Sequence, residues 1–167
     1  GDKISVGPPF FNMTFIPLII PLLIAVPFGP LLAWKRGDLY AACQRLFAAF
    51  AASLMVVVVV WFFVDGASVL AALGIGLSFW LFFGPLTDLV LKSGVGKVSP
   101  RVALARFAGL PRSVFGTALA HIGVGMTVLG IVAVSSLEVE RMAGLQPGET
   151  IEVSGYRLRV DGIQAFQ

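Results

Sequence analysis

Phe47-Ala48-Ala49-Phe50-Ala51-Ala52-Ser53-Leu54-Met55-Val56-Val57-Val58-Val59-Val60-Trp61-Phe62-Phe63-Val64 is the stretch whose reading decides the fold. Its run of valines favours a strand on β-propensity alone. A charge-free run this long, however, matches the roughly 20 apolar residues that an α-helix needs to cross a bilayer. With Asp38 as a plausible N-cap, a membrane helix over about 40–64 is expected. The whole chain agrees: 57% of its 167 residues are hydrophobic, 13% are charged, and the mean hydropathy is +0.93. Soluble domains carry about 25% charged residues and about 45–50% apolar ones. The excess faces lipid, which excludes a soluble cytosolic enzyme. It also excludes a nucleic-acid binder, despite a pI near 9.4, and the net charge of +3 reads as membrane-topology charge.

Working outward, three more spans are expected, at about 10–34, 68–91 and 114–134, so that 10–134 forms a four-helix transmembrane region after a lead-in of residues 1–9. The first contains Pro17, Pro21, Pro27 and Pro30. Each proline removes a backbone donor, so this helix should be kinked and packed against protein that satisfies the freed carbonyls. Gly84-Pro85 is expected to interrupt the third span, and Asp65-Gly66-Ala67 to turn the chain into it. Ser99-Pro100 offers the start of a short surface helix in the basic loop from Lys92 to Arg112.

Residues 135–167 are more polar. Thr150 to Val160 alternates about Ser154-Gly155 and reads as a β-hairpin, the start of a truncated extramembrane β-domain. The fold class is therefore an all-α polytopic membrane protein fragment, four helices followed by the start of a small periplasmic β-domain. Gly1 does not look like a natural N-terminus, and the chain is expected to be an excised piece of a longer membrane protein.

Eight of the 12 basic residues lie in the two loops on one side: Lys35, Arg36, Arg45, Lys92, Lys97, Arg101, Arg106 and Arg112. The positive-inside rule makes that side cytoplasmic and places both ends in the periplasm, as for a multi-pass protein of a bacterial inner membrane.

Candidate chemistry is sparse. Cys43 and His121 are the only cysteine and histidine, which excludes a disulfide and a multi-cysteine or two-histidine metal site within the chain. His121 lies about seven residues inside the fourth span, roughly 10 Å deep at 1.5 Å per residue. An ionisable group at that depth faces protein, water or a cofactor. Three readings stay open: a neutral histidine bonded to a neighbouring helix, a haem or metal ligand, and a proton relay. On the helical wheel Gly116, Ala120, Gly123, Thr127 and Gly130 form a small-residue stripe suited to helix packing, and His121 points about 140° away from Gly116. Gly125, one turn beyond His121, leaves room for a flat group beside the imidazole, or else packs another helix. Met13, Met55, Met126 and Met142 are secondary candidates for a haem ligand, with packing as the default role. Asp88 is expected to pair with Lys92 at i+4.

Several strings together resemble one family. Ile4-Ser5-Val6-Gly7-Pro8-Pro9-Phe10-Phe11-Asn12, Gly29-Pro30-Leu31-Leu32-Ala33-Trp34-Lys35-Arg36 and Leu119-Ala120-His121-Ile122-Gly123-Val124-Gly125 are similar to late segments of CcmF proteins, the haem-lyase subunits of cytochrome c maturation. Ser135 to Glu140, Pro147-Gly148 and Val153 to Tyr156 resemble the beginning of that family's C-terminal periplasmic portion. The resemblance implies that His121 matches the second of two transmembrane histidines holding a b-haem, with the other axial histidine outside this chain. It implies electron relay to haem that is delivered by the carrier CcmE and joined to apocytochrome c brought by CcmH-type partners, with a quinol as a possible electron source. The family's tryptophan-rich haem-handling segment is absent from these residues, so no catalytic residue is assigned. A nitrite-reductase assembly factor is a near sibling. The alternative from another class is a fragment of a secondary transporter, suggested by the proline-broken first span and the membrane histidine. Against it, no inverted repeat is apparent.

Overall fold

The computed structural model describes residues 8–32, 37–64, 67–137, 148–153, 156–159 and 161–162. Five helices, α1 (Pro8–Ala25), α2 (Leu39–Phe63), α3 (Val69–Ser93), α4 (Pro100–Ala108) and α5 (Arg112–Leu137), precede a hairpin of β1 (Thr150–Val153) and β2 (Tyr156–Arg159). Four segments are long and apolar enough to cross a membrane: Met13–Leu31, Leu39–Phe63, Val69–Ser93 and Arg112–Ser136. The chain is a multi-pass membrane protein.

The β-branched run of α2 is helical throughout. Its start is set as expected, by Asp38, whose Oδ1 accepts from the Ala41 amide at 3.0 Å. Ser68 caps α3 in the same way, accepting from Ala71 N at 3.1 Å. Pro100 opens α4, and Gly94 ends α3 with φ +75°, the left-handed region that glycine enters without strain.

The proline-rich first span behaves in two stages. Pro17 and Pro21 lie inside α1, which then tightens into a 3-10 turn, Val26–Leu31, at Pro27. At that junction the Trp80 indole donates to the Ile24 carbonyl at 3.1 Å, so a neighbouring helix supplies a polar partner where the backbone ladder changes. The expected interruption at Gly84-Pro85 is corrected: α3 runs unbroken from Val69 to Ser93 with Pro85 inside it. One missing N–H leaves the rest of the ladder intact, and a helix packed on several sides tolerates the loss.

α3 is the centre. It touches α1, the 3-10 turn, α2, α4 and α5, whereas α2 and α5 do not touch each other among the described residues. The arrangement is thus a row, α2–α3–α5, with the 3-10 turn against α3. Leu46, Ala49 and Trp80 form its buried cluster, flanked by Phe28, Leu31, Leu77 and Phe83. Close approach is built on glycine: a Cβ at Gly76 would run into Val57 of α2, and one at Gly84 into the Pro27 ring. The small-residue stripe of α5 is a different case. It was expected to pack a helix, yet Gly116, Gly123 and Gly130 meet nothing within 4 Å among the described residues.

The hairpin is antiparallel, pairing Ile151 with Leu158 and Val153 with Tyr156, so those positions share a face as the alternation implied. The expected features at residues 1–7, 33–36, 65–66, 138–147, 154–155, 160 and 163–167 lie outside the described residues.

Candidate functional site

His121 stands on α5 nine residues after Arg112, the helix's first residue. α3 runs alongside, and the same end of α3 carries Asp88 and Lys92. The 3-10 turn closes the third side. Together they line an open cleft of about 420 Å³ bounded by Val26, Gly29, Pro30, Asp88, Lys92, Ser113, Val114, Thr117 and His121. Three segments separated widely in sequence therefore bring the lone histidine to a recess of mixed polar and apolar lining near the basic-loop end of the span.

Asp88 and Lys92 pair at i+4 as expected, with Nζ donating to Oδ2 at 2.6 Å. The carboxylate is buried and the ammonium partly exposed. Within a membrane helix such a pair faces protein or a wet cavity, and here it borders the cleft. The Thr117 hydroxyl donates to the Ser113 carbonyl at 2.9 Å, so it is spent on its own helix.

The imidazole is the unsettled group of the site. Its Nδ1 is enclosed and has no hydrogen-bond partner among the described residues. A buried polar atom left so costs about 1–3 kcal/mol. Of the three open readings, a bond from Nδ1 to a neighbouring helix is not present among the described residues. An imidazole at the edge of a cleft is a donor type that suits iron. No group of three metal-binding side chains exists among the described residues. His121 by itself does not make a complete metal site. The methionines are no substitute in this cleft: Met13, Met55 and Met126 are exposed elsewhere, and Met142 lies outside the described residues.

Of the two readings of Gly125, the structure shows the packing contact. Gly125 is buried, and the space above it is filled by α3. An added Cβ would stand 2.6 Å from Phe82 Cε1 and 3.0 Å from the Ser78 carbonyl oxygen. Gly125 does not line the cleft. Its lack of a side chain lets α5 close onto α3, which is the packing alternative. The helical wheel missed this because it describes one helix without its neighbour. It missed the place of Asp88 beside His121 for the same reason, although the burial of a carboxylate inside a span was a usable signal.

The chain is similar to three proteins named for cytochrome c-type biogenesis. It is 57% identical to CycK of Rhizobium meliloti over 98% of this chain and 24% of that protein. It is 48% identical to CycK of Bradyrhizobium diazoefficiens over 96% of this chain and 24% of that protein. It is 32% identical to CcmF of Pseudomonas aeruginosa over 97% of this chain and 24% of that protein. The chain thus spans about a quarter of the length of these relatives. No family model matches the chain, and no solved structure does.

Proposed function

Because the chain belongs to the CcmF family of cytochrome c-type biogenesis proteins over the part it spans, we propose that it forms part of a haem lyase of cytochrome c maturation, with His121 as one axial ligand of a membrane-embedded b-haem. The observation that carries this reading is the 57% identity over nearly the whole chain with a cytochrome c-type biogenesis protein. The setting of His121 supports the ligand role: a lone imidazole inside a span, at the edge of a cleft. None of the relatives named above is a transporter by name, and no feature of the cleft favours transport.

In this reading His121 would hold the haem iron from this chain, and a histidine from outside these 167 residues would supply the second ligand, since the chain contains no second one. Gly125 sets the distance between α5 and α3 and so fixes the helix that carries the ligand. When bound, the haem supplies one-electron transfer that keeps delivered haem reduced while its vinyl groups are joined to the cysteine thiols of apocytochrome c. A quinol is the proposed electron source. CcmE delivers the haem, a CcmH-type partner presents the apocytochrome, and the remainder of the CcmF-like protein provides the haem-handling surface. The proposed location is a bacterial inner membrane with both ends of this segment in the periplasm, on the strength of the basic loops.

The test of the ligand is His121→Ala in the intact protein. The optical spectrum should move from low-spin towards high-spin, or the b-haem should be lost, and cytochrome c maturation should fall. Unchanged haem content, spectrum and maturation would make His121 a structural residue. The test of topology is a cysteine at Ser99 after Cys43→Ser. It should react with an impermeant thiol probe only once the inner membrane is opened, and labelling in sealed cells would reverse the orientation.

A further inference from the structure

Asp88 and His121 reach the same cleft from different helices, and each has a vacancy the other can fill. The Asp88 side chain is 9% exposed, and only its Oδ2 is engaged, by Lys92. Oδ1 takes no hydrogen bond from any described residue, although a carboxylate accepts several. His121 Nδ1 is enclosed and unpartnered. Both residues line the same cleft, one from each of two packed helices. The rivals for this nitrogen are weaker. Asp88 is the only anion among the cleft residues, Lys92 only donates, and the Thr117 hydroxyl is neutral with its proton on Ser113.

We propose that Asp88 is the positioning residue of His121. Its carboxylate accepts the Nδ1 proton after rotation of the two side chains about their χ angles, and so fixes the tautomer that leaves the lone pair on Nε2. A charged acceptor forms a stronger hydrogen bond than a hydroxyl does. The Asp88–His121 link stands on the cleft alone. Its consequence for a metal rests on the ligand reading above: a carboxylate behind a ligating histidine orients the ring and raises its basicity. In that case it lowers the reduction potential of the iron.

The experiment uses the intact protein labelled with ¹⁵N-histidine and studied in the reduced state. The His121 resonances are assigned by their loss in His121→Gln. The wild type should show a proton on Nδ1. Asp88→Asn should shift the Nδ1 resonance and raise the haem midpoint potential while haem content stays constant, and Thr117→Val should do neither. A wild-type Nδ1 without a proton overturns the proposal even if Asp88→Asn fails to fold. So does a resonance that ignores Asp88→Asn or follows Thr117→Val instead. If the resonance shifts and the potential does not, the Asp88 link holds and the ligand reading of His121 fails.

Discussion

α3 and α5 are equally long as apolar spans, 25 residues each, and near in hydropathy, yet 44% of the apolar 18-residue stretch of the first is buried against the rest of the chain and only 11% of that of the second. Both contain glycines and a polar group inside the span. The difference lies in what surrounds them. α3 buries Ala72, Ser78, Trp80, Leu81 and Asp88 among α2, α5 and the 3-10 turn. α5 touches α3 and the turn on one side, and its glycine stripe faces away. Hydropathy reports the preference for lipid over water. It does not report neighbours, because inside a membrane a lipid tail is as apolar as a leucine. What separates the two helices is shape and polar satisfaction, and these set the expected outcomes of substitution.

The largest contrast is expected between Trp80→Ala on α3 and Ile131→Ala on α5. Trp80 is 6% exposed, packs Phe28 at 5.9 Å and Phe50 at 6.2 Å between ring centroids, and donates to the Ile24 carbonyl. Its truncation removes the packing and orphans that carbonyl, at a cost of about 3–5 kcal/mol. Ile131 is 62% exposed, and its loss should stay within about 0.5 kcal/mol. Unfolding of both variants in one detergent checks this. Equal losses would show that α5 is no less embedded than α3.

How far the fold was legible follows the same division. Each local decision was readable: the helical valines of α2, the Asp38 cap, the start of α4 at Ser99-Pro100 and the hairpin alternation all rest on near neighbours in sequence. The interruption expected at Gly84-Pro85 failed because local proline chemistry was weighed without the Pro27 ring, against which Gly84 packs. At the site, the depth of His121 and the Asp88–Lys92 pair were readable. The cleft was not, since its walls come from residues 26–30, 88–92 and 113–121. Periodicity along one helix carries no information about which helix faces it.

Gly125 gives the intermediate effect and sharpens the comparison where the two helices meet. Gly125→Ala forces a methyl against Phe82 and the Ser78 carbonyl, which costs about 1–3 kcal/mol for an overpacked contact. If Phe82 is the obstacle, Gly125→Ala combined with Phe82→Ala should recover part of that loss, and a double-mutant cycle should show coupling of about 0.5 kcal/mol or more. Strict additivity of the two changes would show that the contact is not what holds α5 to α3. It would also return the space above Gly125 to consideration for a bound group.

The smallest effect is expected on the outer face of α5, at Gly123. Nothing described lies within 4 Å of a Cβ placed there, so Gly123→Ala meets no clash among the described residues. The intrinsic term then decides the sign. Alanine is favoured over glycine in a helix interior by roughly 0.5–1 kcal/mol, because glycine loses more backbone freedom on folding. In a bilayer this gain is reduced, since backbone hydrogen bonding already restrains the unpacked helix. A change between zero and about 0.5 kcal/mol of stabilisation is therefore expected on these grounds. Thermal unfolding of the chain with and without the substitution reads it. A loss beyond about 1 kcal/mol, the size of an overpacked contact, would mean that this face is occupied and that α5 resembles α3 more than its burial indicates.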